Sequence, residues 1–142
     1  MFQWTPRTGE DALLRSYWEQ ERGRLYTEVP VAGRRGDSAW AVQSTTRRLD
    51  GVRVPAESGV EGILPFVSHA DEFYRAIQRH APEVIEVKRK LNLAAIGQII
   101  AGHDLCEQQY GVSPARLVIV CAVGDLALEW VCHKRDIIVR IV

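Results

Sequence analysis

An acid and a lysine two positions apart have the types and the spacing for chemistry on a phosphate. Glu86 and Lys88 lie in the segment 83–89, where Ile85 and Val87 are β-branched residues typical of a buried strand. Because side chains alternate along a strand, Glu86 and Lys88 share one face. A carboxylate and an ammonium group on a core strand are costly to desolvate. A divalent metal with a phosphate would offset that cost.

A second predicted strand supplies another acid, Asp50, which is followed by Gly51. Glycine beside an acid lets another group approach the backbone closely, or marks a bulge. Mg²⁺ and Mn²⁺ prefer carboxylate and carbonyl oxygens, so we expect Asp50, Glu86 and the Val87 carbonyl to hold the metal. The metal would lower the pKa of a bound water and stabilise charge on a phosphoryl oxygen.

Three roles stay open for Lys88: orienting the attacking water, helping to deprotonate it, or neutralising the phosphate. Its protonation state also stays open, because Glu86 and a metal would move its pKa in opposite directions.

The elements that must position these residues are helices and strands in a mixed order. Helices are predicted over 8–22, 69–81, 91–110 and 126–134, and strands over 24–31, parts of 40–54, 83–89, 116–123 and 136–142. The segment 56–68 is predicted to be a loop with a short apolar stretch, and the continuous apolar run 116–123 is typical of a strand covered on both faces. Early hairpin-like strands followed by strand–helix–strand crossovers predict an α/β fold with a mixed central β-sheet flanked by helices.

The predicted helix 91–110 has one face of small residues, with Gln98 in its middle. The small residues are Ala94, Ala95, Ala101 and Gly102. Small side chains permit close packing on a sheet, so this face is expected to lie on the sheet and Gln98 to point inward.

Asp50, the triplet of residues 86–88 and Gln98 resemble the PD-(D/E)XK nuclease superfamily, which includes restriction endonucleases. The element order is similar to its restriction endonuclease-like αβββαβ core, over about residues 8–123 of a single domain at 1–142. The resemblance implies a Mg²⁺- or Mn²⁺-dependent nuclease that hydrolyses phosphodiester bonds in DNA, or less often RNA. Asp50 and Glu86 match the family's two acids, Lys88 its lysine and Gln98 its helix glutamine.

Many superfamily members add a glutamate on the first helix, and Glu10 matches it best, with Glu21 and Glu28 as alternatives. The chain departs from the family pattern in two ways. Leu49 precedes Asp50 where many members have proline, and a loop and a helix at about 55–82 form an insertion between the two acids. The sequence does not distinguish endonuclease from exonuclease.

The alternative to an enzyme is a catalytically inactive nuclease-like module that binds nucleic acid or a protein partner. The net charge of +0 favours this alternative slightly, as does the insertion, since no overall field attracts nucleic acid. Local cations are candidates for contacts with phosphates, namely Arg48, Arg53, Arg89 and Lys90; a solvated polar face is the competing interpretation. Acting on a duplex would need a homodimer, for which the apolar C-terminal strand 136–142 offers an edge.

Three scattered cysteines, Cys106, Cys121 and Cys132, are predicted to be buried free thiols. They indicate a reducing, cytoplasmic location, and no run approaches the roughly 18 apolar residues of a membrane span. Of the four tryptophans, Trp18 and Trp130 are predicted to lie in the core. Trp4 and Trp40 could stack on a base, and packing or a dimer contact is the favoured interpretation.

Overall fold

The computed structural model of the protein describes residues 4–31, 47–57 and 59–142. In this part of the chain, four helices flank a six-stranded mixed sheet. The helices are α1 (Gly9–Glu21), α2 (Phe66–Arg79), α3 (Leu93–Tyr110) and α4 (Leu126–Lys134). The strands are β1 (Arg24–Val31), β2 (Arg47–Val54), β3 (Gly62–Pro65), β4 (Glu83–Lys90), β5 (Arg116–Val123) and β6 (Ile137–Ile141). The predicted α/β class and the mixed sheet are confirmed.

The strands lie in the order β3-β1-β2-β4-β5-β6. Strand β2 runs antiparallel to both of its neighbours, β1 and β4. The strands β4, β5 and β6 run parallel, and β3 runs parallel to β1. The two acid-bearing strands, β2 and β4, are therefore direct neighbours in the middle of the sheet, although an entire strand and helix separate them in sequence.

Each face of the sheet carries its own core cluster. Helix α1 buries Leu14 and Tyr17 on one face, while α2, α3 and α4 cover the other. Strand β5 contributes to both clusters: Val118 and Val120 pack on the α1 side, whereas Ile119 and Cys121 pack on the opposite side. This confirms the prediction that its continuous apolar run is covered on both faces.

Helix ends follow local capping chemistry. The Thr8 hydroxyl accepts a hydrogen bond from the Asp11 N–H at 3.0 Å and starts α1, as predicted. The Asn92 side chain accepts one from the Ala95 N–H at 2.8 Å, so α3 begins two residues after the predicted start. Gly111 ends α3 in the left-handed conformation, with φ 67°.

The segment between β2 and β4 differs most from the prediction. Residues 62–65, predicted to be loop, form β3 by pairing with the first half of β1. Helix α2 begins at Phe66, three residues before the predicted start, and is kinked at His69, where φ is −136°. Both differences arise from tertiary pairing, since a four-residue strand that begins with Gly62 and ends with Pro65 carries almost no periodic signal.

Single residues also test the predicted core. Cys106, Cys121 and Cys132 are buried and free, as predicted. Trp18 is partly buried against the α1-side cluster. Trp130, however, is 63% exposed, so its assignment to the core was wrong: α4 turns Cys132 toward the sheet instead. Trp40 lies outside the described residues.

None of the four described helices is both long enough and apolar enough to cross a bilayer.

Candidate functional site

The candidate site lies where β2 and β4 separate. Within the described residues, their pairing runs from Arg53 and Glu83 to Gly51 and Ile85, and stops there. The next two positions in the same register are Asp50 and Glu86. Since the ladder no longer joins the strands at this point, both carboxyl groups face a gap that another group can enter.

A backbone distortion aims Asp50 into the gap. Glu28 on β1 has φ 56° and stands opposite Asp50, between two regularly paired positions. Tyr26 and Val29 belong to one core cluster although they are three positions apart, a spacing that regular alternation would place on opposite faces. The alternation of faces therefore changes at Glu28. Leu49 and Val52 show the same change on β2. Distortions of this kind re-aim side chains, and here the residue re-aimed is Asp50.

Gly51 permits the close approach that its position beside the acid predicts. A Cβ there would lie 2.9 Å from Leu25 Cδ1 and 3.5 Å from Ile85 Cβ. The backbone of β2 therefore packs directly between β1 and β4 immediately after the acid.

Hydrogen bonds tie the two acids to each other and to β4. Asp50 Oδ2 accepts a hydrogen bond from the Val87 N–H at 2.8 Å, and the Asp50 and Glu86 carboxyls are hydrogen-bonded together. The Glu86 residue is only 8% exposed. The N–H and C=O of one strand residue point to the same edge, so the Val87 carbonyl lies on the edge of β4 that faces Asp50.

Burial raises the pKa of both acids, and the charge of Asp50 adds to the rise at Glu86. Burial, followed by the charge of Asp50, raises the pKa of Glu86 to about 8, although Lys88 opposes this rise. Burial also raises the pKa of Asp50, against the effect of the Val87 N–H, and the charge of Glu10 adds to it. Two carboxyls this close do not both ionise readily without a cation. A raised pKa with a specific charged partner in a cavity is a mark of a functional site.

All five predicted catalytic residues line one cavity of about 560 Å³, namely Glu10, Asp50, Glu86, Lys88 and Gln98. Arg47 and Arg48 stand at its β2 side, and α3 contributes further small residues. The tertiary fold thus assembles residues from α1, β2, β4 and α3 around one space.

Gln98 reaches this cavity in a different way from the one predicted. The buried face of α3 carries Ala95, Ile96, Ile99, Gly102 and Cys106, whereas Gln98 is exposed. The predicted inward face was right for Ala95 and Gly102, which are buried, and wrong for Ala94, Gln98 and Ala101, which are exposed because larger apolar residues pack on the sheet. The predicted small residues other than Ala95 line the cavity. Gln98 borders the cavity from the side of the helix.

The three candidate glutamates occupy different places. Glu10, at the start of α1, lines the cavity with Asp50. Glu28 is exposed beside Asp50 and pairs with Arg48 at 3.5 Å. Glu21, at the other end of α1, forms an ion pair with Arg140 on β6. The geometry brings Glu10 and Glu28 to the site and leaves Glu21 away from it.

The predicted nucleic-acid contacts are divided as well. Arg48 lines the cavity, and Arg89 and Lys90 are exposed at the end of β4. Arg53 donates to Glu83 through Nε and Nη2 at 3.1 and 3.2 Å, and to the Arg22 carbonyl at 3.1 Å. Its side chain is only 15% exposed, so Arg53 is engaged in a buried ion pair rather than presented to a phosphate.

Sequence reasoning missed the network around Glu83. This carboxylate is 4% exposed and accepts hydrogen bonds from Arg53 and from the Tyr17 hydroxyl. Arg116 lies 3.6 Å away and adds a second cation. The network fastens α1, and with it Glu10, to β4. The sequence signal for this network was Glu83 itself, a charged residue at the start of a strand predicted to be buried.

The donor set fits a hard divalent cation. Among the described residues, no three or more His, Cys, Asp or Glu side chains form a group that could hold a metal. Mg²⁺, however, is commonly bound by one or two carboxylates with waters and substrate phosphates completing its shell. Asp50, Glu86 and the Val87 carbonyl are such a set, and a cation among them would stabilise both buried carboxylates in their charged form.

Comparison with protein-family models, with curated proteins and with solved structures gives no match in any of the three. The geometry of this site is therefore what supports a function for the chain.

Proposed function

We propose that this chain is a metal-dependent nuclease that hydrolyses phosphodiester bonds in DNA, or less often RNA. The observation that carries the proposal is the buried, hydrogen-bonded pair of Asp50 and Glu86, with Lys88 in the same cavity. Two acids and a lysine around a space at a break in a sheet suit the hydrolysis of an anionic ester. A buried acid pair of this kind is costly for a purely structural role.

The same proposal includes a specific fold for the chain, the restriction endonuclease-like core. Helix α1, strands β1, β2 and β4, helix α3 and strand β5 would form the restriction endonuclease-like αβββαβ core. Strand β3 and helix α2 would be the insertion between the acids. The order β1-β2-β4-β5, antiparallel and then parallel, supports this division.

Each residue has a role in the proposed reaction. Asp50, Glu86 and the Val87 carbonyl would hold Mg²⁺ or Mn²⁺, which supplies a more acidic water and a positive charge beside the phosphate. Lys88 shares a face of β4 with Glu86, and its ammonium would orient the attacking water and balance the charge that develops on the phosphoryl oxygens. Water adds to phosphorus, the bond to the leaving oxygen breaks, and the leaving oxygen takes up a proton.

Glu10 and Gln98 would act at the rim of the cavity. The Glu10 carboxylate approaches the acid pair from α1 and would accept a hydrogen bond from a water bound there. The Gln98 amide, from α3, would donate to a phosphate oxygen.

The test is cleavage of plasmid, single-stranded and branched DNA with Mg²⁺ or Mn²⁺. We expect Asp50→Ala and Lys88→Ala to lower the rate by about 10²-fold or more. Asp71→Ala on α2 and Lys134→Ala on α4 are matched controls, since both side chains are exposed and lie away from the cavity. Cleavage of no substrate, or equal cleavage by the Asp50 and Lys88 variants, would contradict the proposal.

A second candidate is a nuclease-like module that binds without cutting. The finding that favours it is the absence, among the described residues, of a third acidic or other ligating side chain in a metal-holding group. Mn²⁺ binding by wild-type protein that is lost in Glu86→Ala would argue for the enzyme. Nucleic-acid binding with no metal uptake would argue for the module.

A further inference from the structure

Two more cavities in the described part of the chain continue the one that holds the acids. A cavity of about 430 Å³ shares Glu10 and Asp50 with it and is lined also by Trp4 and Arg7. A cavity of about 890 Å³ shares Trp4 and Arg7 with the second, and Arg48 with the first. Together they form a groove that passes Asp50 and ends at the start of α2.

The far end of this groove is apolar and aromatic. Trp4, Phe66 and Val67 line it, with Pro30 and Pro65 between them. We call these five residues the aromatic end. Val67 is 88% exposed, so its apolar side chain is open to a ligand. An apolar surface that borders a polar site marks a place where a ligand packs.

Cations border the aromatic end. Arg7 lines two of the three cavities, and Arg48 stands between the aromatic end and the acids. The ion pair of Arg48 with Glu28 is 3.5 Å long and exposed on both sides, so it contributes little and a phosphate can replace it. A ligand in the groove therefore meets an apolar floor with Arg7 and Arg48 beside it, and the carboxylates of Asp11 and Glu28 line the same cavities. The apolar floor matches a base, and the two arginines match its phosphate.

We infer that the strand bound in this groove is unpaired, and that one of its bases stacks in the aromatic end. This inference rests on the proposed function and names its substrate class: single-stranded nucleic acid, or a single-stranded part of a longer substrate. A base within a duplex has both faces covered by its neighbours, so it cannot lie on Trp4 or Phe66. An unpaired base can, and stacking on an aromatic side chain is independent of sequence.

The charge of the chain supports the same conclusion. Binding to duplex DNA depends on many contacts between cations and phosphates, whereas the net charge here is +0. Of the four cations considered as phosphate contacts, Arg53 is held in the ion pair with Glu83. Stacking supplies affinity that the few remaining cations do not.

The experiment measures binding rather than cleavage. In an Asp50→Asn background, which prevents hydrolysis, fluorescence anisotropy follows a labelled oligodeoxythymidine and a blunt duplex of equal length. We expect the single strand to bind more tightly, and Trp4→Ala to weaken that binding by about 5- to 100-fold. Trp4→Phe should retain most of the affinity, because phenylalanine keeps a ring that stacks.

Two further variants separate stacking from folding. Val67→Glu places a negative charge in the aromatic end at an exposed position, so it should weaken single-strand binding while thermal unfolding stays unchanged. Trp130→Ala removes an exposed tryptophan on α4, outside the groove, and should have no effect. If the Trp4 and Val67 variants bind the single strand like wild type, or if the duplex binds as tightly, the inference is wrong.

The result is distinguishable from a failure of the proposed nuclease activity. If Trp4→Ala loses single-strand binding but the wild-type protein cleaves no substrate, the inferred binding in the groove is supported and the proposed nuclease activity is rejected. Metal-dependent cleavage with no effect of Trp4→Ala or Val67→Glu on binding would support the nuclease and reject the groove.

Discussion

Two glutamates on β4 should respond in opposite ways to the same substitution. Glu86→Gln removes one acid of the repelling pair and keeps the shape of the side chain. Glu83→Gln removes the acceptor of a buried ion pair on the same strand. We expect the first variant to be more stable than wild type near pH 8 without metal, and the second to be less stable.

The magnitude for Glu86 follows from its pKa. Folding raises that pKa from 4.5 to about 8, so between these pH values the folded protein holds a proton that the unfolded chain has released. The free energy of unfolding therefore falls as the pH rises through this window, by at most about 1.4 kcal/mol per pH unit. The total loss is up to about 5 kcal/mol. Glu86→Gln abolishes it.

The opposite sign for Glu83 follows from its partners. Its carboxylate is 4% exposed and accepts hydrogen bonds from Nε and Nη2 of Arg53 and from the Tyr17 hydroxyl. Glutamine leaves the Arg53 cation without its counter-charge in a largely buried position. Removing one partner of such a pair costs about 3 kcal/mol or more.

The assay is urea unfolding of wild type and both variants from about pH 4.5 to pH 8 in EDTA. The difference between wild type and Glu86→Gln reports the titration of the Glu86 and Asp50 pair, because the titrating groups outside the pair are common to both proteins. Adding Mg²⁺ at pH 8 should stabilise wild type and leave Glu86→Gln nearly unchanged. A Glu86→Gln variant with the pH dependence of wild type would refute the reasoning, since Glu86 would then titrate as it does in the unfolded chain.

Two further predictions concern packing and assembly. Gly102→Ala should destabilise the fold by about 1 kcal/mol, because its Cβ would lie 2.8 Å from Leu49 Cδ2, whereas Gly97→Ala on the same helix, with nothing within 4 Å, should stabilise it by up to about 1 kcal/mol. Urea unfolding measures both, and equal effects would contradict the packing of α3 on β2. We also propose that the chain forms a homodimer through β6, which ends the sheet in the described part of the chain and exposes 54% of Ile141. Ile141→Lys should then shift sedimentation from dimer to monomer, and a monomeric wild type at micromolar concentration would exclude this.

Most helices and strands were predictable because their signals are local. Thr8 caps α1 and Gly111 ends α3 through contacts with residues a few positions away. The alternation of side chains places Glu86 and Lys88 on one face of β4, and both line one cavity. The continuous apolar run of β5 predicted burial on both faces without knowledge of its neighbours.

Elements that depend on a distant partner were not predictable. β3 exists because β1 offers it a parallel edge, and its own four residues carry little signal. Gln98 was expected to face the sheet because small residues surround it, but Ile96 and Ile99 fill that space. Likewise, nothing near Arg53 in sequence indicates that Glu83 neutralises it.

For the candidate site, the sequence by itself determined the residue types, the capped helices and the pairing of Glu86 with Lys88 on one strand face. The tertiary structure alone decided that Asp50 meets Glu86 although β3 and α2 lie between them in sequence, and that β2 and β4 separate where the two acids meet. The physical reason is the separation in sequence over which each kind of interaction acts. Periodicity and capping act within a few residues, whereas strand order, the distortion at Glu28 and the burial that raises the pKa of both acids depend on how distant segments pack.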